Sequence, residues 1–569
     1  MTGSILATGL VQSIWMGTCL GGAMEFRRSA NGNLARVQNR VLLELLQNAS
    51  QTDFGRQHDF TTIGSAEEFC ARVKVHDYDD LKPYIDLIAA GKERVLTGDP
   101  VRMFEETSGT SGPNRLIPYT AGLQRAFNLA LHPWLFDLFS HFGSLWGGPA
   151  YWVVSPRSAE KKMTDGGVPI GFAADSDYFG AWAKPLIGLV TVVPEEVAGL
   201  GNPAVWKYVT LLCLLRQSQM RLISLWNPTL FTALLSQCGE WVTSLAVDLE
   251  NGTCRPTFLS ASELNDPVLR LYSGKPLPEH GKRLVDAIRL LERGDRAGFT
   301  RLLWPKLALI SSWSEAEAGA GAEYLRSFFP EAAFQTKGLL ATEGPVTIPM
   351  VGALAPVLAA RSAFFEFEEG EAGSGRIRLA HELVTGQRYR VLMTTAGGLY
   401  RYRLHDIVEM RGWWRNLPCL AFVGKEAFVS DLVGEKLSSA QAKEVVARFA
   451  AGFAGSWLAP EKPELPALPH YCLFLTTGAG RGKIEEADCR QLAERMDMAF
   501  CENIHYRWAR EAGQLAPVKV VVLNADGAAA NEIRLQRQAG LGRTISTAKP
   551  GVLDKTPGWL EWLQNRGLL

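Results

Sequence analysis

The sequence predicts an α/β protein with a large N-terminal body and a small C-terminal α+β domain. The first observation behind this prediction is length, because 569 residues exceed what one ordinary hydrophobic core can hold. The second is composition, since 47% hydrophobic and 21% charged residues are typical of a globular chain. The third is pattern: helical periodicity dominates as far as about residue 300, and strand-like segments alternate with helices after it.

Charge and cysteine usage argue against two classes of protein. Lys and Arg together number 59, as do Asp and Glu, so the zero net charge disfavours a nucleic-acid binder with a broad basic surface. The nine cysteines form no CxxC pair and no Cys/His cluster, which disfavours structural zinc and indicates a reducing compartment. We therefore expect a cytoplasmic protein, a monomer, whose cysteines are small core residues.

The N-terminal segment, residues 1–24, carries no charged side chain. A signal peptide needs basic residues before its apolar core, and none is present. Gly, Ser, Thr and Gln interrupt the segment, so it is less apolar than a typical membrane span. We predict a helix that packs on the protein, with membrane association through residues 1–24 as the alternative.

Helices are predicted through most of the first 300 residues. In residues 36–47, "RVQNRVLLELLQ", apolar side chains recur at helical spacing. Residues 52–60 are polar with a glycine and predict a loop. Residues 66–96 predict two short helices, the first preceded by a capping box of Ser65 and Glu68. A long apolar helix is expected over residues 121–142, followed by a buried strand at 150–156.

Strands are predicted mainly in the second half of the chain, from β-branched and aromatic content. They are "KLALISSW", "AFFEFEE", "QRYRVLMTT", "LYRYRLHDIVEM" and "CLAFVGK". A break near residues 424–436 then separates a body of residues 1–425 from a domain of residues 426–569. In that domain we expect helices at 439–453 and 486–503, strands at 470–477 and 517–524, and a Pro-rich turn at 458–469.

The segment "TSGTSGPNRLIP", residues 107–118, has the composition of an anion-binding loop. Glycines allow the backbone to approach an anion closely, and the Thr and Ser hydroxyls add donors. Arg115 adds a guanidinium, which suits phosphate. The Walker A pattern GxxxxGK[ST] is absent. Taken alone, the segment is more typical of a solvated surface loop.

Further motifs extend the pattern along the chain. The loop resembles the phosphate loop of adenylate-forming enzymes. With "TDFGRQHDFTTI" and "FCARVKVHDYDDLKPYIDLIAAGK" before it, the chain resembles the auxin-responsive Gretchen-Hagen family of acyl acid–amido synthetases. Matching motifs follow in order: "LLATEG", "FFEFEE", "GGLYRYRLHDIVEM", "PCLAFVGKEAFVSDLVGEKLS" and "STAKPG". The resemblance spans nearly the whole chain, and the order of the six motifs makes it specific.

The resemblance implies a fold and a nucleotide site. The fold would be an adenylate-forming body of mixed sheets, helices and a barrel-like subdomain, with a small mobile C-terminal domain. The phosphate loop would bind the β- and γ-phosphates of ATP, assisted by Arg115. The loop residues assigned to this role are Thr107, Ser108, Gly109, Thr110 and Ser111. In "ATEG", Thr342 would hydrogen-bond the α-phosphate or the acyl carboxylate, and Glu343 would hold Mg²⁺.

The motif "YRYRLHDI" is expected to be an alternating strand. Tyr400, Tyr402, Leu404 and Asp406 would share one face, and Arg401, Arg403 and His405 the other. By the resemblance, Asp406 would accept both ribose hydroxyls, and Tyr402 would stack near the adenine or pack in the core. The family usually has glycine where His405 stands, and lysine in the phosphate loop where this chain has Arg115.

Two lysines near and beyond the domain boundary complete the implied site. Lys425, where family members often have arginine, would reach the ribose or the phosphates. Lys549, in "STAKPG", would stabilise charge on the α-phosphate as pyrophosphate leaves. The alternative for Lys549 is a solvated lysine in a loop rich in Pro and Gly.

The resemblance implies an activity in two half-reactions. ATP with Mg²⁺ would convert a carboxylic acid to an acyl adenylate, and an amine, an amino acid in this family, would then form an amide. Trp226, Phe231 and Trp313 lie in the region expected to form the acyl pocket, although such aromatics are more often plain core. The alternatives are an acyl-CoA ligase with the same first step, and a non-catalytic homologue that binds nucleotide or acyl acid.

Overall fold

The computed structural model resolves the chain into two compact units. We call residues 5–107 and 115–424 the large unit, and residues from 425 to 569 the small unit. The structure describes residues 5–107, 115–153, 162–171, 183–226, 228–260, 262–315, 318–370, 375–425, 429–430, 432–433, 435, 437–453, 455–463, 467–476, 484–511, 514–523, 527–540 and 551–569.

Five helices open the large unit. They are α1 (Ile5–Asn31), α2 (Leu34–Ala49), α3 (Asp53–Gln57), α4 (Ala66–Arg72) and α5 (Tyr78–Ala89). The predicted loop over residues 52–60 is wrong, because the Thr52 hydroxyl accepts the Gly55 N–H at 2.9 Å and starts α3. The Ser65 hydroxyl caps α4 by accepting the Glu68 N–H, whereas the Glu68 carboxylate accepts the N–H of Gly64 rather than that of Ser65.

The first helix, α1, confirms the predicted N-terminal helix. Its inner face buries Trp15, and the Gln12 side chain bonds the backbone of Gly147 and Gly148. Its outer face exposes large apolar side chains: Ile5, Leu6, Leu10, Ile14, Leu20 and Met24. Among the described residues, α1 is the one helix long and apolar enough to cross a membrane. Membrane association therefore stays a prediction.

A hairpin and a long helix follow. The hairpin strands are β1 (Val101–Thr107) and β2 (Arg115–Thr120), which the sequence pattern did not reveal. Helix α6 (Ala121–His141) is confirmed as one helix, with Pro133 inside it, and the short strand β3 (Ala150–Trp152) comes next. Strands β4 (Lys162–Met163) and β5 (Pro169–Ile170) complete a sheet of order β2-β1-β5-β4.

The middle of the large unit is a parallel sheet wrapped by helices. The helices are α7 (Ala183–Val190), α8 (Pro203–Leu215), α9 (Pro228–Glu240), α10 (Val242–Asn251), α11 (Pro267–Arg270), α12 (Pro278–Glu292), α13 (Arg296–Leu303) and α14 (Gly319–Phe328). Strands β6 (Leu222–Ser224), β7 (Leu309–Ser312) and β8 (Ala333–Thr336) pair in parallel in the order β3-β6-β7-β8. Leu222 and Leu309 face one core cluster, and Ile223 and Ile310 face another.

Two further β structures end the large unit. Strands β9 (Leu340–Ala341) and β10 (Gly344–Pro345) form a small hairpin. The seven-stranded sheet has the order β11-β12-β17-β16-β15-β13-β14. Its strands are β11 (Thr347–Ile348), β12 (Val357–Leu358), β13 (Phe364–Glu368), β14 (Ile377–Leu379), β15 (Arg388–Thr394), β16 (Tyr402–Trp414) and β17 (Leu417–Lys425). The predicted strands around residues 363–425 are thus confirmed, although β16 begins at Tyr402 rather than near residue 399.

The small unit is a three-stranded sheet between helices, in the order β20-β21-β22. Its elements are β18 (Val429–Ser430), β19 (Leu437–Ser438), α15 (Ser439–Ala450), β20 (Gly455–Glu461), β21 (His470–Thr476), α16 (Glu486–Phe500), α17 (Ile504–Glu511), β22 (Lys519–Leu523), α18 (Gly527–Gly540) and α19 (Trp559–Gln564). The predicted turn over residues 458–469 begins too early. Strand β20 runs to Glu461, because Pro460 lies on an edge strand, where a missing N–H is tolerated.

Candidate active site

The base of the predicted phosphate loop is the β1–β2 hairpin. Thr107 and Arg115 pair across the two strands, and the ladder continues inward through Phe104 and Pro118. Buried Phe104 and Ile117 anchor the strands in the core. Ser108, Gly109, Thr110 and Ser111 lie outside the described residues, as does the side chain of Thr107. The hairpin therefore fixes where the loop leaves and re-enters the large unit.

The "ATEG" motif forms a tight turn. Ala341 pairs with Gly344, so Thr342 and Glu343 are the two central residues of the β9–β10 hairpin. Thr342 is partly exposed, and Glu343 is 8% exposed. A two-residue hairpin holds both side chains at its tip with little freedom. The carboxylate of Glu343 is thus positioned by backbone pairing.

Three predicted residues come together although they lie far apart in the chain. The Arg115 guanidinium lies 3.5 Å from the Tyr402 hydroxyl, which lies 3.5 Å from a carboxylate oxygen of Glu343. These distances are at the outer limit of hydrogen bonding. Burial, with the charge of Glu343, raises the pKa of the Tyr402 hydroxyl far above neutrality. The phenol therefore stays neutral between a cation and an anion.

Arg115 also contacts Tyr78, the first residue of α5. Its guanidinium lies 5.3 Å from the centre of the Tyr78 ring, within cation–π range. The Tyr78 hydroxyl accepts the N–H of Leu116 at 2.9 Å, which fixes the ring against β2. Among the described residues, no carboxylate lies within ion-pair distance of Arg115. An aromatic face orients this cation without neutralising it.

Strand β16 carries Asp406 and contains a bulge. Arg390 and Leu392 of β15 pair with Ile407 and Arg403 of β16, so two steps along β15 match four along β16. The predicted uninterrupted alternation of residues 400–406 is wrong here, because a bulge breaks the two-residue period. Asp406, 1% exposed, lies immediately after His405 within this bulge. Its predicted contact with ribose stays a prediction.

His405 adopts a left-handed backbone conformation, with φ of 63°. Glycine favours that region, whereas a side chain is disfavoured there. The His405 imidazole lies 3.1 Å from Asp77, and Arg403 donates to the other oxygen of Asp77 at 2.8 Å. The hydrogen bond from His405, followed by the charge of Arg403, lowers the pKa of Asp77. The bulge thus accepts a histidine where the resembled family has glycine.

The arginines of "YRYRL" are held by carboxylates that we did not assign to any role from sequence. Arg401 donates three hydrogen bonds to Glu366, at 2.7, 2.9 and 3.1 Å, and another to the Val73 carbonyl. Arg403 pairs with Glu368 at 3.2 and 3.3 Å. Glu366 and Glu368 are two residues apart, as are Arg401 and Arg403. This matching spacing was the signal in the sequence that could have predicted the two ion pairs. These pairs are buried and fix the start of β16.

The side chains of the two predicted lysines, Lys425 and Lys549, lie outside the described residues. The backbone of Lys425 ends β17, whereas the whole of Lys549 lies outside them. In the described part of the chain, no group of three or more His, Cys, Asp or Glu side chains clusters as a metal site. A single buried carboxylate such as Glu343 fits Mg²⁺ chemistry, because that ion takes most of its other ligands from water and substrate phosphates.

Comparison with known proteins gives two family matches. Residues 24–334 match the N-terminal domain of the GH3 family, and residues 356–425 match its central domain. Indole-3-acetic acid-amido synthetase GH3.3 of Arabidopsis thaliana is 25% identical over 442 residues, 74% of this chain and 73% of that protein. Indole-3-acetic acid-amido synthetase GH3.8 of Oryza sativa subsp. indica is 25% identical over 534 residues, 88% of this chain and 85% of that protein.

A solved structure shows the same fold. The GH3.15 acyl acid amido synthetase aligns over 95% of both chains with a TM-score of 0.74, at 17% identity. This confirms the predicted fold class, a mixed α/β body of several sheets and helices followed by a C-terminal domain. Since the family models cover more than half of the sequence, the resemblance read from the motifs is also confirmed, and the protein belongs to the GH3 family.

Proposed function

We propose that this protein is an ATP-dependent acyl acid–amido synthetase, a ligase that forms carbon–nitrogen bonds. The observation that carries the proposal is the convergence of Arg115, Glu343 and Tyr402 from three separate motifs. Membership of a family whose relatives are named amido synthetases gives that cluster its chemical meaning.

The reaction balances in two steps. A carboxylate oxygen of the acid attacks the α-phosphorus of ATP, and pyrophosphate leaves with the electrons of the broken bond. The nitrogen of an amino acid then attacks the acyl carbonyl, AMP leaves, and the nitrogen releases a proton. Neither step needs covalent attachment to the protein, so positioning and electrostatics supply most of the acceleration.

Each site residue has a role in the first step. The loop of Thr107, Ser108, Gly109, Thr110 and Ser111 binds the β- and γ-phosphates, and Arg115 adds positive charge at its base. Thr342 donates to the α-phosphate or orients the acid, and Glu343 holds Mg²⁺, which neutralises phosphate charge when bound. Asp406 accepts the ribose hydroxyls, while the buried Tyr402 spaces Arg115 from Glu343 at the phosphate end of the nucleotide.

The two lysines act on the same nucleotide. Lys425 reaches the ribose or the phosphates, and Lys549 stabilises the α-phosphate during adenylation. The small unit supplies Lys549 for the first half-reaction. The two half-reactions would use the small unit in different poses. We therefore extend the proposal to a mobile small unit and a cytoplasmic monomer. The nine free cysteines of the structure support a reducing compartment.

Acid-dependent release of pyrophosphate tests the proposal. The protein is incubated with ATP, Mg²⁺ and a panel of aryl and fatty acids, with and without mixed amino acids. We expect release that amino acids accelerate, together with the mass of an amide. Glu343→Ala and Asp406→Ala should lower the rate about a hundredfold or more, whereas exposed Glu279→Gln on α12 should not.

Two outcomes would overturn it. A thioester formed with CoA, and no amide, would indicate an acyl-CoA ligase. ATP binding without turnover of any acid would indicate a non-catalytic binding protein.

The exposed face of α1 is tested separately: if Leu6→Asp with Leu10→Asp leaves membrane fractionation unchanged, the prediction of membrane association is wrong.

A further inference from the structure

A buried lysine lies outside the nucleotide cluster and has no role so far. Lys337 directly follows β8, at the carboxyl end of the parallel sheet, and is 5% exposed. Its ammonium donates to the Ser224 hydroxyl at 2.8 Å. In the described part of the chain no acidic side chain pairs with it, and burial alone lowers its pKa to about 7.

Two tryptophans enclose the amine of Lys337. Its nitrogen lies 4.9 Å from the ring centre of Trp134 and 4.8 Å from that of Trp226. Trp134 is buried, and its indole N–H donates to Gln335 at 2.8 Å, which fixes its ring. Trp226 is partly exposed. Trp226 is therefore the more exposed of the two indoles that flank the amine.

The sheet register places a second polar group next to Ser224, the hydrogen-bond partner of the lysine. Trp152, Ser224, Ser311 and Gln335 pair in one row across the four parallel strands, so their side chains project from the same face. The Ser311 hydroxyl is fully buried and has no hydrogen-bond partner among the described residues. A buried unpaired hydroxyl costs free energy, and a ligand oxygen would recover it.

The location suits a substrate. In open α/β sheets, ligands bind outside the carboxyl ends of parallel strands. Lys337 lies five residues before Thr342, a chain span of at most about 18 Å. The same segment therefore joins Lys337 to the turn that we propose orients the reacting carboxyl group. The partly exposed indole of Trp226 favours a flat, aromatic ligand next to it.

We propose that Lys337 and Ser311 form the far end of the acyl-acid pocket and select an aromatic acid with an oxygen substituent away from its reacting carboxyl group. This inference rests on the proposed function and adds its substrate class. Ser224 and Trp134 hold the lysine in place. The partly exposed Trp226 borders the aromatic ring, and the substituent oxygen bonds the amine and the Ser311 hydroxyl.

Matched acids and one lysine variant test the selection. 4-Hydroxycinnamate and 4-hydroxyphenylacetate are compared with their 4-methyl analogues, which have a similar shape but no oxygen. In Lys337→Met we expect the kcat/KM ratio of hydroxy to methyl acid to fall about tenfold or more. Exposed Lys282→Met on α12 should leave the ratio unchanged.

A serine pair provides an internal control. Ser311→Ala should lower the same ratio. Ser312→Ala should not, because the neighbouring hydroxyl is equally buried and unpaired in the described chain but projects from the opposite face. Thermal unfolding of each variant verifies that it is folded. An equal loss for both acids of each pair in Lys337→Met, or equal effects of the two serine variants, would overturn the proposal.

A binding measurement separates this inference from the proposed function. Calorimetry of 4-carboxycinnamate at pH 8, without ATP, is repeated in two buffers of different ionisation enthalpy. An anionic oxygen beside Lys337 should raise the pKa of its amine, so wild type should take up as much as one proton per acid. Lys337→Met should take up none. Failure of pyrophosphate release with intact proton uptake would reject only the synthetase activity, and binding without uptake would reject only this inference.

Discussion

His405 shows how one residue can oppose the backbone and still be retained. Its left-handed φ of 63° disfavours any side chain by about 1 kcal/mol relative to glycine. The contact with Asp77 offsets part of that cost, but Asp77 is partly exposed, so the pair contributes little. We expect His405→Gly to match or exceed the wild type in stability, by up to about 1 kcal/mol.

His405→Ala is the matched control for this prediction. Alanine loses the contact with Asp77 and keeps the unfavourable backbone, so it should be the least stable of the three proteins. Urea unfolding measures the order, and the difference between glycine and alanine should be about 1 kcal/mol. Equal stability of the two variants would show that the bulge is not strained.

Glu315 makes a prediction about pH. Its carboxylate accepts the N–H of Phe422, and Arg411 is the nearby positive charge, yet burial raises its pKa from 4.5 to about 7. The folded protein then binds more protons than the unfolded chain between these values, so this group costs stability as pH rises from about 4.5 to 7. Glu315→Gln keeps an oxygen acceptor and removes the titration.

The variant should therefore gain stability only at higher pH. We compare the unfolding free energy of Glu315→Gln with that of wild type at each pH. This difference should favour the variant by about 1 to 3 kcal/mol more at pH 8 than at pH 4.5. Unfolding free energies of both proteins at the two pH values check this. A difference that does not change with pH would mean that the carboxylate is effectively solvated.

At the scale of elements, sequence patterns predicted the long regular helices and strands. They missed a short helix that depends on its cap and a bulge within a strand. The apolar spacing of α2 and the long apolar run of α6 predicted both helices, and aromatic and β-branched residues predicted β13 and β15. The five-residue helix α3 has too few residues for a period and depends on the Thr52 cap. In β16 the bulge before Ile407 breaks the two-residue alternation that the sequence predicted for residues 400–406.

The arginine at the start of β16 makes that element sensitive to a single carboxylate. Glu366→Leu would leave the Arg401 guanidinium buried without its partner, and such a loss costs about 3–5 kcal/mol. Urea unfolding followed by tryptophan fluorescence measures this. Adding Arg401→Met should recover much of the loss, because the uncompensated charge is then removed.

An ion pair in the same sheet whose arginine is largely exposed is the control. Arg388→Met breaks its contact with Glu409, and because Arg388 is largely exposed, stability should change by about 1 kcal/mol or less. A Glu366 variant that loses no more than this would indicate that Arg401 finds another partner or water.

At the scale of the whole molecule, the sequence motifs nominated residues for the candidate site but not their mutual geometry. Arg115, Glu343 and Tyr402 were each assigned from a motif, but their mutual contacts span up to 287 positions, which no local pattern encodes. Tyr78 and Asp77 were not predicted to belong to the site. Asp77 precedes α5 as its N-cap, and polar residues are common at a helix start whether or not they have a function. Lys337 could not be distinguished from a surface lysine until the sheet register placed it between indoles.

The last prediction concerns the two half-reactions of the whole chain. If Lys549 stabilises the α-phosphate, Lys549→Ala should slow acid-dependent exchange of pyrophosphate with ATP about a hundredfold or more. It should leave amide formation from a presynthesised acyl adenylate within a few-fold of wild type, because no pyrophosphate leaves in that step. Exposed Lys443→Ala on α15 of the small unit is the control and should change neither rate. Equal losses in both reactions would overturn this role, since a lysine that stabilises the α-phosphate only while pyrophosphate leaves does not act in the second step.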